Sequence, residues 1–115
     1  MSEAAIDRAT FNELQATAGA EFVTDLVDTF LEEAPLMLSE LCAASAERAA
    51  DRYRRAAHSL KSNALTFGAT ALAAQARDLE LKGLGADAAA DGPGLDALEQ
   101  GYARAAAELK ALRHG

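Results

Sequence analysis

Strand-forming residues are almost missing from this chain: Ile and Val together occur three times in 115 residues, against 30 alanines. Val and Ile suit the pleated, half-buried surface of a sheet, whereas Ala is the strongest helix former, so the composition predicts an all-α fold. Basic residues are scarce as well, 11 against 18 acids, which leaves a net charge of −7. A nucleic-acid binder needs Lys and Arg clustered over a broad face to neutralise phosphates, and the balance here argues against DNA or RNA as partners. Cysteine occurs once, at position 42. No disulfide or thiolate metal cluster can therefore form within one chain, and the usual burial of free thiols predicts a buried, inert Cys42. No apolar run reaches the roughly 18 residues of a membrane span. The opening Met1-Ser2-Glu3-Ala4-Ala5-Ile6-Asp7 has no basic stretch leading into an apolar one. A cytoplasmic protein is expected, and the initiating Met favours a free-standing one.

Half of the residues are apolar and a quarter charged, the balance of one soluble domain spanning residues 1–115. Thr10-Phe11-Asn12-Glu13 has capping-box spacing and predicts the start of a short helix that ends near Gly19. From Ala20, Phe22, Leu26, Phe30 and Val23, Val27, Leu31 recur every four residues and are expected to form a core stripe. Pro35 either opens a new helix or kinks a continuous one. Leu38, Leu41, Cys42 and Ser45 then share a face up to a break near residues 49–51, with Leu36 and Met37 expected in the core. Tyr53, Ala57, Leu60, Ala64 and Phe67 alternate at four and three, a seam suited to a bundle. Gly68-Ala69 reads as a tight turn into a helix with Leu72, Ala76, Leu79 and Gly83 inward. Gly83 to Gly94 reads as a mobile surface loop. Leu95, Leu98, Tyr102, Ala105, Leu109 and Leu112 mark the last helix. Short connections force neighbouring helices to run in opposite directions, which predicts an antiparallel four-helix bundle with a short additional N-terminal helix.

On a helical wheel, His58 lies roughly 140° from the centre of the Tyr53 to Phe67 seam and is expected in solvent. Arg54, Arg55, Lys61 and Ser62 are its helical neighbours. Charge is uneven along the chain: residues 9–47 hold eight acids and no base, whereas 48–61 hold five bases and one acid, Asp51. Cations around an imidazole disfavour a further positive charge on it and so favour its nucleophilic form. They also suit the oxygens of a phosphoryl group during transfer. A solvated helix face with no chemical use is the bland alternative for the same residues.

The run Ala57-His58-Ser59-Leu60-Lys61-Ser62-Asn63-Ala64-Leu65-Thr66-Phe67-Gly68-Ala69 resembles the signature of histidine-containing phosphotransfer (HPt) domains, His-x-Leu-Lys-Gly with Gly-Ala six residues later. Ile6-Asp7, the stripe from Phe22 to Leu41, and Leu79-Glu80 extend the resemblance over nearly the whole chain. Ser62 stands where the family commonly has Gly, and its small size keeps the histidine accessible. The resemblance implies a phosphorelay carrier. His58 would take a phosphoryl group from the aspartyl-phosphate of one response-regulator receiver domain and pass it to the aspartate of another, in a pathway fed by a hybrid histidine kinase. Lys61 would screen the phosphate, and Arg54, Arg55, Leu65 and Gly68 would support the site. It further implies no cofactor or metal bound by this chain, with Mg²⁺ in the partner receiver, and a monomer.

No Gly-x-x-x-x-Gly-Lys-Ser/Thr loop is present to cradle a nucleotide. Ser59 occupies the place of the acidic neighbour usual in autophosphorylating kinases, so a phosphocarrier rather than an enzyme is expected. The runner-up is a non-phosphorylated docking module that regulates a signalling partner. A helical acid/base enzyme fares worse, since no His-Asp or Cys-His pair occurs at helical spacing. Ile6, Phe11 and Leu65 are expected to be exposed docking anchors, Leu65 lying roughly 120° from the core seam. His114 reads as a chain-end residue.

Overall fold

Apolar residues spaced alternately four and three apart stay on one side of a helix, and four such stripes meet in the core. The computed structural model describes residues 5–112. Among them lie five helices and no strand: α1 (Arg8–Ala18), α2 (Ala20–Glu47), α3 (Ala50–Thr66), α4 (Thr70–Lys82) and α5 (Ala88–Leu112). The helices α2 to α5 form an antiparallel bundle in which each packs on its neighbours in a ring, and α1 packs on α2. The expected seam of α3 is buried throughout, as are Leu72, Ala76 and Leu79 of α4 and Leu95, Leu98, Ala105 and Leu109 of α5.

Helix α2 runs unbroken through Pro35. Proline cannot donate to the Leu31 carbonyl one turn back, and the Tyr102 hydroxyl of α5 donates to that oxygen instead, at 3.4 Å. Its buried face is Val23, Val27, Phe30, Ala34, Leu41, Ala44 and Ser45. A repeat of four rotates about 40° per step off a fixed face. Phe22 accordingly leaves the core and is 55% exposed, contrary to the stripe expected from it. Two more expectations fail for the same angular reason: Cys42 is exposed rather than buried, and Leu36 is 69% exposed, while its neighbour Met37 packs on the core.

The first helix begins earlier than its capping box suggests. Asp7 is the cap, its carboxylate accepting from the Ala9 amide at 3.2 Å and the Thr10 hydroxyl at 2.8 Å, so Thr10 lies within α1. Ile6 and Phe11, expected as exposed anchors, are fully buried. They form the inner side of a segment strapped across the bundle: Ala5 and Ile6 amides donate to Glu108 of α5, and the Asp7 amide donates to the Gly68 carbonyl at 2.7 Å.

Gly68 ends α3 with a left-handed φ of 78°, and the Ala69 amide closes the turn on the Ala64 carbonyl at 2.9 Å. A Cβ there would stand 2.9 Å from both the Asp7 carbonyl and the Thr10 Cβ. Gly68→Ala is therefore expected to cost about 2 kcal/mol, combining left-handed strain with crowding against backbone. That is a fall of roughly 10 °C in melting temperature; an unchanged melt would show that the N-terminal strap is not seated on this turn.

The stretch Gly83 to Gly94 also departs from the loop expected of it. Helix α5 starts at Ala88, capped by Asp87, which accepts from the Ala90 amide at 2.9 Å, and it continues through Pro93. Asp91 is only 6% exposed. Its carboxylate accepts from the Ser45 hydroxyl (2.6 Å), an Arg48 guanidinium nitrogen (2.9 Å) and the Gly85 amide (2.6 Å). One side chain thus ties the end of α2, the α4–α5 connection and the first turn of α5. Arg48 closes α2 with φ 57°, and its guanidinium also donates to the Ser45 and Gly85 carbonyls. His114 lies outside the described residues.

Candidate functional site

Because Ala57 and Leu60 face the core, the turn of α3 between them turns His58 outward, and its side chain is 58% exposed. The imidazole is not surrounded by cations alone. Glu80 reaches it from the facing side of α4, and His58 Nδ1 lies 2.7 Å from Glu80 Oε2. The other carboxylate oxygen, Oε1, lies 2.8 Å from Lys61 Nζ. Oε1 is buried and makes no directed hydrogen bond, so the Lys61 charge is what offsets its loss of water. Lys61, aided by His58, holds the Glu80 carboxyl below its ordinary value against the opposing effect of burial.

This triad adds to the sequence-based picture a partner that the wheel of α3 does not show. A carboxylate does sit beside His58, supplied by a residue 22 positions away. Lys61, expected to screen a phosphate, is paired with Glu80 and 22% exposed. Arg54 likewise pairs with Asp51 at 3.2 Å, and Arg55 donates weakly to the Asp51 carbonyl at 3.4 Å. Leu79-Glu80 is visible in the sequence, but helical spacing within α3 gives no reason to bring Glu80 to His58. The antiparallel pairing of α3 with α4 across the Gly68 turn does that.

A neutral imidazole has one N–H and one lone pair, and the hydrogen bond at one nitrogen fixes which is which. With Nδ1–H donating to Glu80, the lone pair falls on Nε2. Ser62, one turn further along α3, is exposed and leaves the approach to the ring uncrowded. Leu65 is 52% exposed, as expected. On the α2 side lies a groove of about 500 Å³, lined among others by Leu36, Met37, Arg55 and Ser59, the residue that follows His58. Across it, Arg52 clamps α3 to α2 through a two-pronged bond to Glu40 (2.9 and 2.8 Å) and one to Glu47 (2.8 Å).

Among the described residues no group of three or more His, Cys, Asp or Glu is arranged to hold a metal ion, and no helix is long and apolar enough to cross a membrane. The site is thus one exposed histidine on the flank of a helical bundle, backed by a carboxylate from the neighbouring helix. The family model of the Hpt domain matches residues 25–111, more than half of the chain, and the protein belongs to that family. Hpt domains are phosphocarrier modules of two-component phosphorelays and exchange phosphoryl groups with response regulators and kinases. No curated protein and no solved structure matches the chain significantly.

Proposed function

We propose that His58 carries the phosphoryl group, accepting it from the aspartyl-phosphate of one receiver domain and delivering it to the aspartate of another. The observation that carries this reading is the exposed imidazole whose Nδ1 is held by Glu80. The Nε2 lone pair attacks phosphorus, the bond from phosphorus to the donor's carboxylate oxygen breaks, and the carboxylate leaves with its electron pair. The ring becomes positively charged as the new bond forms, and the Glu80 carboxylate stabilises that charge through Nδ1–H. Delivery is the reverse. Lys61 positions Glu80 and screens the phosphate; Ser62 admits the partner's loops. On this reading the Mg²⁺ that neutralises phosphoryl oxygens belongs to the receiver, and the chain acts in the cytoplasm as a single-domain monomer, a phosphocarrier that takes its phosphoryl group from partners rather than from a nucleotide.

The test is incubation with a phosphorylated receiver, followed by mapping of the label. Acid-labile, alkali-stable phosphate on His58 is the expected outcome. Stable complex formation with no label would leave the docking-module reading in its place. A second expectation concerns Glu80→Gln, which keeps a hydrogen-bond acceptor at Nδ1 and removes the charge. A hydrogen bond between charged groups contributes about 1.5–3 kcal/mol, and exposure of this one favours the lower end. Transfer should slow about tenfold with binding little altered; wild-type rates would mean that Glu80 only fills space.

A further inference from the structure

On the Glu80 side of His58 a second groove, of about 290 Å³, runs between α3 and α4, lined by Lys61, Leu65, Thr70, Ala73, Ala74 and Arg77. It extends from Lys61, the partner of Glu80, to Thr70, the first residue of α4, and of its two alanines Ala73 is buried and Ala74 exposed. Three features set it apart from ordinary surface. Leu65 is 52% exposed, and Leu81, one turn beyond Arg77 on α4, is 71% exposed. Arg77 makes no hydrogen bond or ion pair with any described residue. Acids outnumber bases 18 to 11 in this chain, yet among the described residues this guanidinium has no carboxylate partner, and it stands beside uncovered apolar surface.

Such a pairing of an apolar slot with one unspent cation fits a protein segment that offers an apolar side chain next to an Asp or Glu. Charge complementarity of this kind sets encounter and discriminates between partners more than it adds affinity. An anionic lipid surface or a nucleic acid would call for a cluster of cations rather than one. The slot is also placed to matter for transfer, since Arg77 precedes Glu80 by one turn of α4 and Leu65 follows His58 by two turns of α3. A partner seated there brings its own groups to the imidazole from the α4 side.

We infer that the α3–α4 groove is a partner-selecting surface, in which Leu65 and the groove alanines receive an apolar side chain of the receiver domain and Arg77 pairs with an acidic residue beside it. This rests on the carrier reading of His58. The test uses the full chain, its Arg77→Glu, Arg77→Ala and Leu65→Glu variants, and a panel of receiver domains phosphorylated with acetyl phosphate. Affinity is measured at low and high salt, and transfer is profiled across the panel. Phosphoramidate labelling of His58 supplies a readout that needs no partner.

Arg77→Glu should weaken the receiver preferred by the wild type about tenfold, flatten the salt dependence and reorder the panel. Arg77→Ala should do the same to a smaller degree, and Leu65→Glu should shorten the lifetime of the complex. Phosphoramidate labelling and the melting temperature should stay at wild-type values in the Arg77 variants. Unchanged affinity and ranking in Arg77→Glu would overturn the inference. Failure of phosphoramidate and of every receiver to label His58 in the wild type, with receiver binding still sensitive to Arg77, would overturn the carrier reading and leave the surface standing.

Discussion

His58→Gln is expected to take up no phosphate from any receiver while melting at the wild-type temperature. The two halves of this outcome have separate causes. Glutamine offers an amide where the imidazole offers a lone pair on Nε2, and an amide nitrogen is no nucleophile toward phosphorus. The fold is spared because the side chain is 58% exposed and its one tertiary bond is to Glu80; surface changes of this kind stay within about 0.5 kcal/mol. The Gln amide can still donate to Glu80, and Lys61 remains to balance the carboxylate. Radiolabel transfer and circular dichroism melts read the two halves independently. Label on the variant at the wild-type rate would remove His58 from the role of carrier, whereas loss of label together with a collapsed melt would show that the histidine is structural.

The largest expected loss of stability lies at the far end of the bundle. Asp91→Ala removes the acceptor of three hydrogen bonds at once, leaving the buried Ser45 hydroxyl and the Gly85 amide without it and the partly buried Arg48 guanidinium without its carboxylate. Breaking a fully buried ion pair costs about 3–5 kcal/mol, and the partial exposure of Arg48 brings the expected figure to about 3 kcal/mol. The melting temperature should fall by more than 10 °C, on the usual proportion of roughly 4 °C or more per kcal/mol for a small domain. Burial by itself would raise the Asp91 carboxyl, but the bonds from Ser45, Gly85 and Arg48 outweigh it and hold the carboxyl below its ordinary value. A depressed folded-state value means that the unfolded chain binds the proton more readily. The stabilisation is therefore complete above the unfolded value, about 3.9, and is lost as pH falls through it toward the folded value. Asp91→Asn keeps the shape and removes the titration. Melts recorded from neutral to acid pH should show wild type and Asn variant converging as the pH drops; parallel curves would mean that Asp91 is not ionised in the fold.

The path from residues to fold is clearest where spacing alone carried the information. The seam of Tyr53, Ala57, Leu60, Ala64 and Phe67 determined α3 and its outward His58, because the direction of a side chain from a helix depends only on position along it. Gly68 was legible as a stop because few other residues adopt its φ. Composition decided the all-α class. The same local logic misassigned residues at the edge of a stripe, Phe22, Leu36 and Cys42, since about 100° per residue separates core from water. It also took the buried side of α1, Ile6 and Phe11, for a docking face.

Local pattern along the chain thus specifies the set of helices, the exposed histidine and the resemblance that surrounds it. Which groups act on one another across helices follows from how the helices pack. Glu80 comes to His58 because α3 and α4 run antiparallel from a common turn, and the same carboxylate engages Lys61. Asp91 becomes a buried clasp, in a stretch rich in Gly and Ala, because Ser45 and Arg48 of α2 arrive beside it. Hydrogen bonds and ion pairs act over a few ångströms in space, whatever the separation along the chain, whereas periodicity records only which way each side chain leaves its own helix.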